Sequence, residues 1–230
     1  MQTRSARAAL AAVSLCVLAL PGCGGASDNG VASKQPDEIL AAAKSAASSA
    51  KTMHLAGTFV AEGAPLSLDL RLVNGEGARG TITQHGVSFK LIETGGEIYI
   101  YGSPAFYEHF GGNAAAQLFN GKWLKAPTNS GEFASLSSLT EMQALLDTLL
   151  SSHGTLTSAG TATIEGQKAV GVTESEKGGT LYVASTGKPY PVAVVKSGSG
   201  GGKIVFNEWN VPVSLTPPAN AIDITQLEHT

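Results

Sequence analysis

Apolar and polar residues alternate with period two over long stretches of this chain. The pattern is cleanest where Leu66, Leu68, Leu70 and Leu72 are interleaved with Ser67, Asp69 and Arg71. Such spacing puts one set of side chains on a buried strand face and the other in water. The same period runs through 53–60, 80–84, 87–91 and 97–101, with Asn74-Gly75 and Gly95-Gly96 as turns between strands. Runs joined this way predict successive hairpins and an antiparallel sheet. Strands resume near the C-terminus at 161–164, 169–173, 180–184, 192–196 and 203–209.

Three helices interrupt the alternation. Pro36-Asp37-Glu38 opens the first, because proline and acids suit a first turn. It reaches about residue 50 on a thin apolar stripe of Ile39, Leu40, Ala43, Ala46, Ala47 and Ala50. Ser103-Pro104 starts a second that runs to Phe119, with Gly111-Gly112 as a candidate break. Ser138-Leu139-Thr140-Glu141 fits a capping box for the third, and Leu139, Met142, Leu145, Leu146, Leu149 and Leu150 give it a wide apolar face. Gly154 is the expected left-handed stop. The reading is a single α+β domain over 36–230 with a long antiparallel sheet.

The N-terminus changes the setting. Arg4 and Arg7 precede an apolar stretch from Ala8 to Leu20, then Leu20-Pro21-Gly22-Cys23 and a Gly/Ser/Asp/Asn run. A charged start, a short apolar core and small residues at the cut make residues 1–22 an export signal. A cysteine directly after that site resembles the lipobox of bacterial lipoproteins. That resemblance implies an acylated Cys23, a flexible tether over 23–35 and an extracytoplasmic protein anchored to the cell membrane. Cys16 falls within the signal, so the mature chain would carry no disulfide and would rest on its hydrophobic core. The net charge is −3, and becomes about −5 once Arg4 and Arg7 are removed. With no basic stripe to neutralise phosphates, nucleic acid is excluded as a partner.

Catalytic patterns are sparse. The sequence has neither the HExxH nor the GxSxG pattern, and His54 and His85 stand at strand positions as surface or rim residues. Ser185-Thr186-Gly187-Lys188 and Ser48-Ser49-Ala50-Lys51 match SxxK, in a hairpin and at a helix end. Gly198 to Lys203 superficially resembles a phosphate loop, but it joins two strands and Ile204 follows its lysine, so it reads as a hairpin loop. Glu62, Asp69 and Glu93 read as solvated charges. No enzyme activity, metal or cofactor is expected.

Beyond the lipobox, several phrases resemble actinobacterial lipoproteins of the LppX/LprG kind, whose fold is that of the LolA and LolB carriers. They are Pro36 to Leu40 leading to Lys51-Thr52-Met53-His54-Leu55, Gly96 to Gly102 followed by Phe106, and Gly121-Lys122-Trp123-Leu124-Lys125. In the C-terminal half they are Thr180 to Val183, Gly187 to Pro191, and Phe206-Asn207-Glu208-Trp209-Asn210. The resemblance implies a curved antiparallel sheet, a half-barrel, with about three helices covering its concave face and an apolar cavity between them for lipid or glycolipid chains. Candidate lining residues are Leu66, Leu68, Leu70, Phe89, Leu91, Ile98, Ile100, Phe106, Met142, Leu146 and Leu149. Expected partners are the membrane, such a lipid, and envelope transporter proteins. Tyr99, Tyr101, Phe106, Tyr107 and Phe110 suit either the cavity mouth or plain strand–helix packing, and the loop 126–133 either a mobile lip or an inert connection. Periodicity alone does not separate a lined cavity from a filled core. The competing reading is an envelope interaction or sensor protein with a solid interior and no lipid.

Overall fold

Five consecutive strands follow from the period-two alternation, and each turn is made where glycine permits it. The computed structural model describes residues 27–226 except 62, 132, 152, 153, 177 and 199. The expected signal over 1–22 and the acylated Cys23 therefore lie outside the described residues. After α1 (Pro36–Ser48) come β1 (Thr52–Ala61), β2 (Ala64–Val73), β3 (Gly77–Gln84), β4 (Val87–Thr94) and β5 (Glu97–Gly102). Then follow α2 (Pro104–Phe119), β6 (Leu124–Pro127), α3 (Phe133–Thr140) and α4 (Met142–Leu149). The second half holds β7 (Leu156–Ile164), β8 (Gln167–Glu174), β9 (Gly179–Ala184), β10 (Pro191–Lys196), β11 (Gly202–Asn207) and β12 (Ile222–Asp223).

Among the described residues all twelve strands join one open, curved sheet in the order β12-β6-β5-β4-β3-β2-β1-β11-β10-β9-β8-β7. The α+β half-barrel expected from the sequence is the observed architecture. One pairing differs: β12 lies parallel to β6, with Ile222 opposite Leu124 and Asp223 opposite Lys125. The tail returns to the sheet edge running in the same direction as β6, and two residues carry no periodic signal.

The inner face of the sheet is the core. Leu55, Leu70, Leu72, Ile82, Leu91, Ile98 and Phe206 are essentially inaccessible and pack with Ile39 and Ala43 of α1 and Met142 and Leu146 of α4. Each such side chain contributes about 1.5–3 kcal/mol through burial. The alanines of α1 leave little bulk beneath the helix. The outer face is polar, with hydroxyl pairs Thr58–Ser67 and Thr83–Ser88 bridging neighbouring strands.

Three local features depart from the sequence reading. The residues expected to form one helix from Ser138 form two, and Glu141, not Ser138, is the N-cap of α4, its side chain accepting from the Ala144 amide at 3.0 Å. The Thr140 hydroxyl instead closes α3, its one proton shared between the Ser137 carbonyl and the Glu93 carboxylate. The α4 C-cap is Leu150, whose amide bonds the Leu146 carbonyl, and Gly154 has no left-handed backbone. The loop 126–133 is not a free lip: Ala126 and Pro127 belong to β6, paired to Ile98 and Glu97, and the Thr128 amide bonds the Gly96 carbonyl.

The third departure is at the start. Residues 27–34, expected within a flexible tether, are fastened to the β9–β10 turn. Asp28 bridges Thr186, the Asn29 amide donates to the Ser185 carbonyl, and the Gly187 amide donates to the Ser27 carbonyl. Val31 is 1% exposed and joins the core cluster. The local cause is an Asx turn: the Gly30 amide donates to the Asp28 carboxylate, and Gly30 takes the left-handed backbone (φ 75°) that follows.

Candidate functional site

The site is built where α2 crosses the ends of the strands. Ser103 caps α2 by accepting from the Phe106 amide at 3.2 Å, and Pro104 occupies the first turn. Gly112 breaks the helix, as its position suggested, with φ 71° and ψ −177°. Only glycine adopts that combination at low cost. The first half of α2 is bolted to the sheet by Tyr107, 3% exposed. Its hydroxyl accepts from the Gly102 amide at 2.9 Å and donates to the Lys122 carbonyl at 3.0 Å. Burial pushes the phenol's pKa above its ordinary value, offset in part by the Gly102 hydrogen bond.

Gly102 also lets Phe106 close on β5, because a Cβ there would collide with the phenyl ring. The Phe106 ring packs at a tilt against Phe89 and Phe110, with centroids 4.8 Å apart in each pair. Between this aromatic cluster, the sheet and α3 lies a cleft of about 480 Å³. It is lined by Phe89, Ile100, Phe106, Phe110, Phe119, Leu124, Leu136 and Ala115, with Gln84 and Tyr107 as its polar groups. Phe110 (59% exposed) stands at the cleft, and Leu118 on the same helix is also exposed. A second cleft, about 210 Å³, opens beside α4 between Leu40, Leu149, Leu156, Val172, Leu181 and Val194.

The strand register relates the two. Gln84 pairs with Leu66, Leu66 with Phe59, Phe59 with Gly202, Gly202 with Lys196, and Lys196 with Gly179. Gln84 lines the larger cleft, and Lys196 and Gly179 line the smaller. Both therefore sit at one rim of the sheet. A third cavity, about 430 Å³, lies at the opposite strand ends among Glu76, Glu93, Glu141, Thr140 and glycine turns, with no large apolar side chain in its lining.

Of the expected lining residues, Phe89, Ile100 and Phe106 meet in the larger cleft and Leu149 lines the smaller one. Leu66, Leu68, Leu70, Leu91, Ile98, Met142 and Leu146 lie in the packed core cluster and do not line either cleft. The aromatic group also divides. Phe106, Tyr107 and Phe110 are at the cleft, whereas Tyr101 packs against Trp123 with Lys90 over its ring. Phe119, Leu124, Leu136 and Ala115 escaped sequence reasoning. Phe119 and Ala115 lie beyond the Gly112 kink, so helical spacing from Phe106 does not project them onto one stripe.

Other singled-out residues have structural partners. His54 bridges Asn207 (2.7 Å) and Asp69 (2.9 Å) on the outer face, beside the two-pronged Arg71–Glu208 ion pair at 2.9 and 3.0 Å. Glu93 is not simply solvated: it points inward and takes hydroxyl hydrogen bonds from Ser137 and Thr140, tying α3 to β4. Ser185 is buried in the β9–β10 turn, and Ser48 bonds its own helix. Among the described residues no group of three or more His, Cys, Asp or Glu could hold a metal. Nor is any helix among them long and apolar enough to cross a membrane.

The sequence matches no family model and no curated protein. Solved structures do match its fold. LprF from Mycobacterium bovis superposes with a TM-score of 0.56 at 16% identity, over 85% of this chain and 100% of LprF. The Mycobacterium tuberculosis lipoprotein LppX gives 0.51 at 19% identity, over 79% of this chain and 100% of LppX. The chain has the LppX/LprG-type lipoprotein fold. At these identities the LppX/LprG-type likeness speaks for the sheet and its helices, and the cleft residues stand on their own geometry.

Proposed function

We infer that this chain is an envelope lipoprotein, anchored through acylated Cys23, that shelters the acyl chains of a lipid or glycolipid and carries or presents them without covalent chemistry. The observation that carries this reading is the α2 cleft. Its volume of about 480 Å³ lies within the range of small-molecule sites, roughly 300–1,000 Å³, and its lining is overwhelmingly apolar. Burying a sixteen-carbon chain at about 0.8 kcal/mol per CH₂ supplies roughly 12 kcal/mol gross, before the costs of association. Gln84 in its lining offers hydrogen bonds to a polar head.

The test is native mass spectrometry of the mature chain purified from an actinobacterial host, before and after solvent extraction. A discrete extractable mass is expected. In Ala115→Trp the indole fills the cleft from the α2 side, so loading should fall at least about tenfold, equivalent to ~1.4 kcal/mol, while the melting temperature holds. A chain that stays bare after incubation with envelope lipids, or a variant that loads as well as the parent, refutes the reading and favours the solid-core interaction protein.

A further inference from the structure

The segment that was to be free tether is clamped at one end of β9 and β10, and the apolar clefts open at the other. Asn29 is the centre of the clamp. Its Nδ2 donates to the Ala184 carbonyl at 2.9 Å and the Gly187 carbonyl at 3.0 Å, and its Oδ1 accepts from the Val31 amide at 3.0 Å. One side chain thus ties the last residue of β9, the turn that follows it and the 3-10 turn beginning at Val31. Val31 then plugs into the core.

Chain length sets the consequence. From Cys23 to Ser27 there are four residue steps, at most about 14 Å of reach. The clefts' rim begins with Gly179 and Lys196, at the far ends of β9 and β10. Those strands span about 20 Å. While the clamp holds, the anchor cannot travel from one rim to the other. If it opened, the free chain would extend from Cys23 to Pro36, about 45 Å at full stretch and roughly 20 Å root-mean-square.

We propose that residues 27–34 form a latch that holds the lipid-bearing Cys23 at the β9–β10 turn, so that the latched protein sets this rim on its own bilayer and faces both apolar clefts away from it. The occupant of the β9–β10 rim is the headgroup surface of the anchoring membrane. Exchange of a lipid with that same membrane then requires the latch to open, whereas transfer to a second membrane or carrier does not. This inference rests on the acylated-anchor reading above.

The experiment uses the full acylated chain in phosphatidylethanolamine/phosphatidylglycerol vesicles that carry a quenching headgroup. Lys188→Cys at the latch rim and Lys196→Cys at the cleft rim are labelled with one fluorophore, Cys23 being blocked by its own acylation. The 188 label should be quenched at least about twofold more strongly, as the positions lie roughly 20 Å apart along the strands. Asn29→Ala should bring the two values together. Inserting about twelve Gly/Ser residues between Ala26 and Ser27 should do the same with the latch intact. Equal quenching in the parent chain, or stronger quenching at 196, overturns the latch alone. A mature chain that carries no acyl mass and does not bind the vesicles overturns the anchor reading and the latch together.

Discussion

Tyr107→Phe removes one oxygen from the point where α2 meets the sheet. Its hydroxyl serves two backbone groups at once, the Gly102 amide at 2.9 Å and the Lys122 carbonyl at 3.0 Å. Phenylalanine keeps the ring packing against Phe106 and Phe119, at 5.4 and 5.8 Å, and leaves an amide without its acceptor in a site that excludes water. A buried group left unsatisfied costs about 1–3 kcal/mol. For a domain of about 200 residues that is roughly 3–10 °C in melting temperature. Urea unfolding at neutral pH measures it directly. The pH dependence gives a second reading. The folded pKa is raised above the usual 10.0, chiefly by burial. The folded state therefore holds the phenolic proton more tightly, and its contribution is complete below the unfolded value. That contribution is lost as pH rises through the higher folded value. The parent protein should weaken with an added slope above about pH 10, and Tyr107→Phe should lack that slope. A loss below about 0.5 kcal/mol, with identical alkaline behaviour in both proteins, would refute the assignment of Tyr107 as the bolt between helix and sheet.

Two further substitutions probe the frame around the site. Gly80→Ala should destabilise the domain by on the order of 1–3 kcal/mol or abolish folding, because its Cβ would strike the Asp69 carbonyl of the neighbouring strand; unchanged thermal denaturation would count against the close β2–β3 approach. Glu208→Gln addresses acid sensitivity. The Arg71 hydrogen bond first, and then the charges of Arg71 and His54, hold the Glu208 carboxylate below its ordinary value. Its contribution is present above the unfolded pKa and lost as pH falls through the folded one. The variant should therefore show a shallower stability loss below about pH 4.5 in acid titration followed by circular dichroism.

The strands were the most legible part of the sequence because the sheet has one dry face and one wet face. Leu66 to Leu72 alternate with polar residues, and the structure buries the leucines and exposes Asp69 accordingly. The helix after β6 was misjudged for a physical reason. Ser138-Leu139-Thr140-Glu141 carries the residue types of a capping box, but Thr140 is held by Glu93 of β4 beneath it and Glu141 caps the next helix. By composition residues 27–34 suit a tether, since small polar residues signal flexibility when nothing local holds them. The signal that was available was Asp28-Asn29-Gly30 ahead of a single valine, an Asx turn delivering one apolar side chain. The cleft was half legible. Phe89, Ile100 and Phe106 follow from strand alternation and the helix start, while Phe119 and Leu136 come together through the Gly112 kink and the extra helix.

A sheet that does not close has two edges, and each unpaired row of amides invites another chain to add to it. Here the two are guarded by different means. The β7 edge carries a bulge between Ser158 and Gly160, which spoils the flat register a docking strand needs. The β6 edge is covered by the chain's own tail, through the Ile222 amide on the Trp123 carbonyl and Lys125 held between Glu97 and Asp223. Those last residues thus act as a guard against self-assembly. A chain clipped before Ile222 would keep its half-barrel and bare a row of backbone donors and acceptors beside the cleft wall at Leu124, the place where two copies of it would first begin to stick.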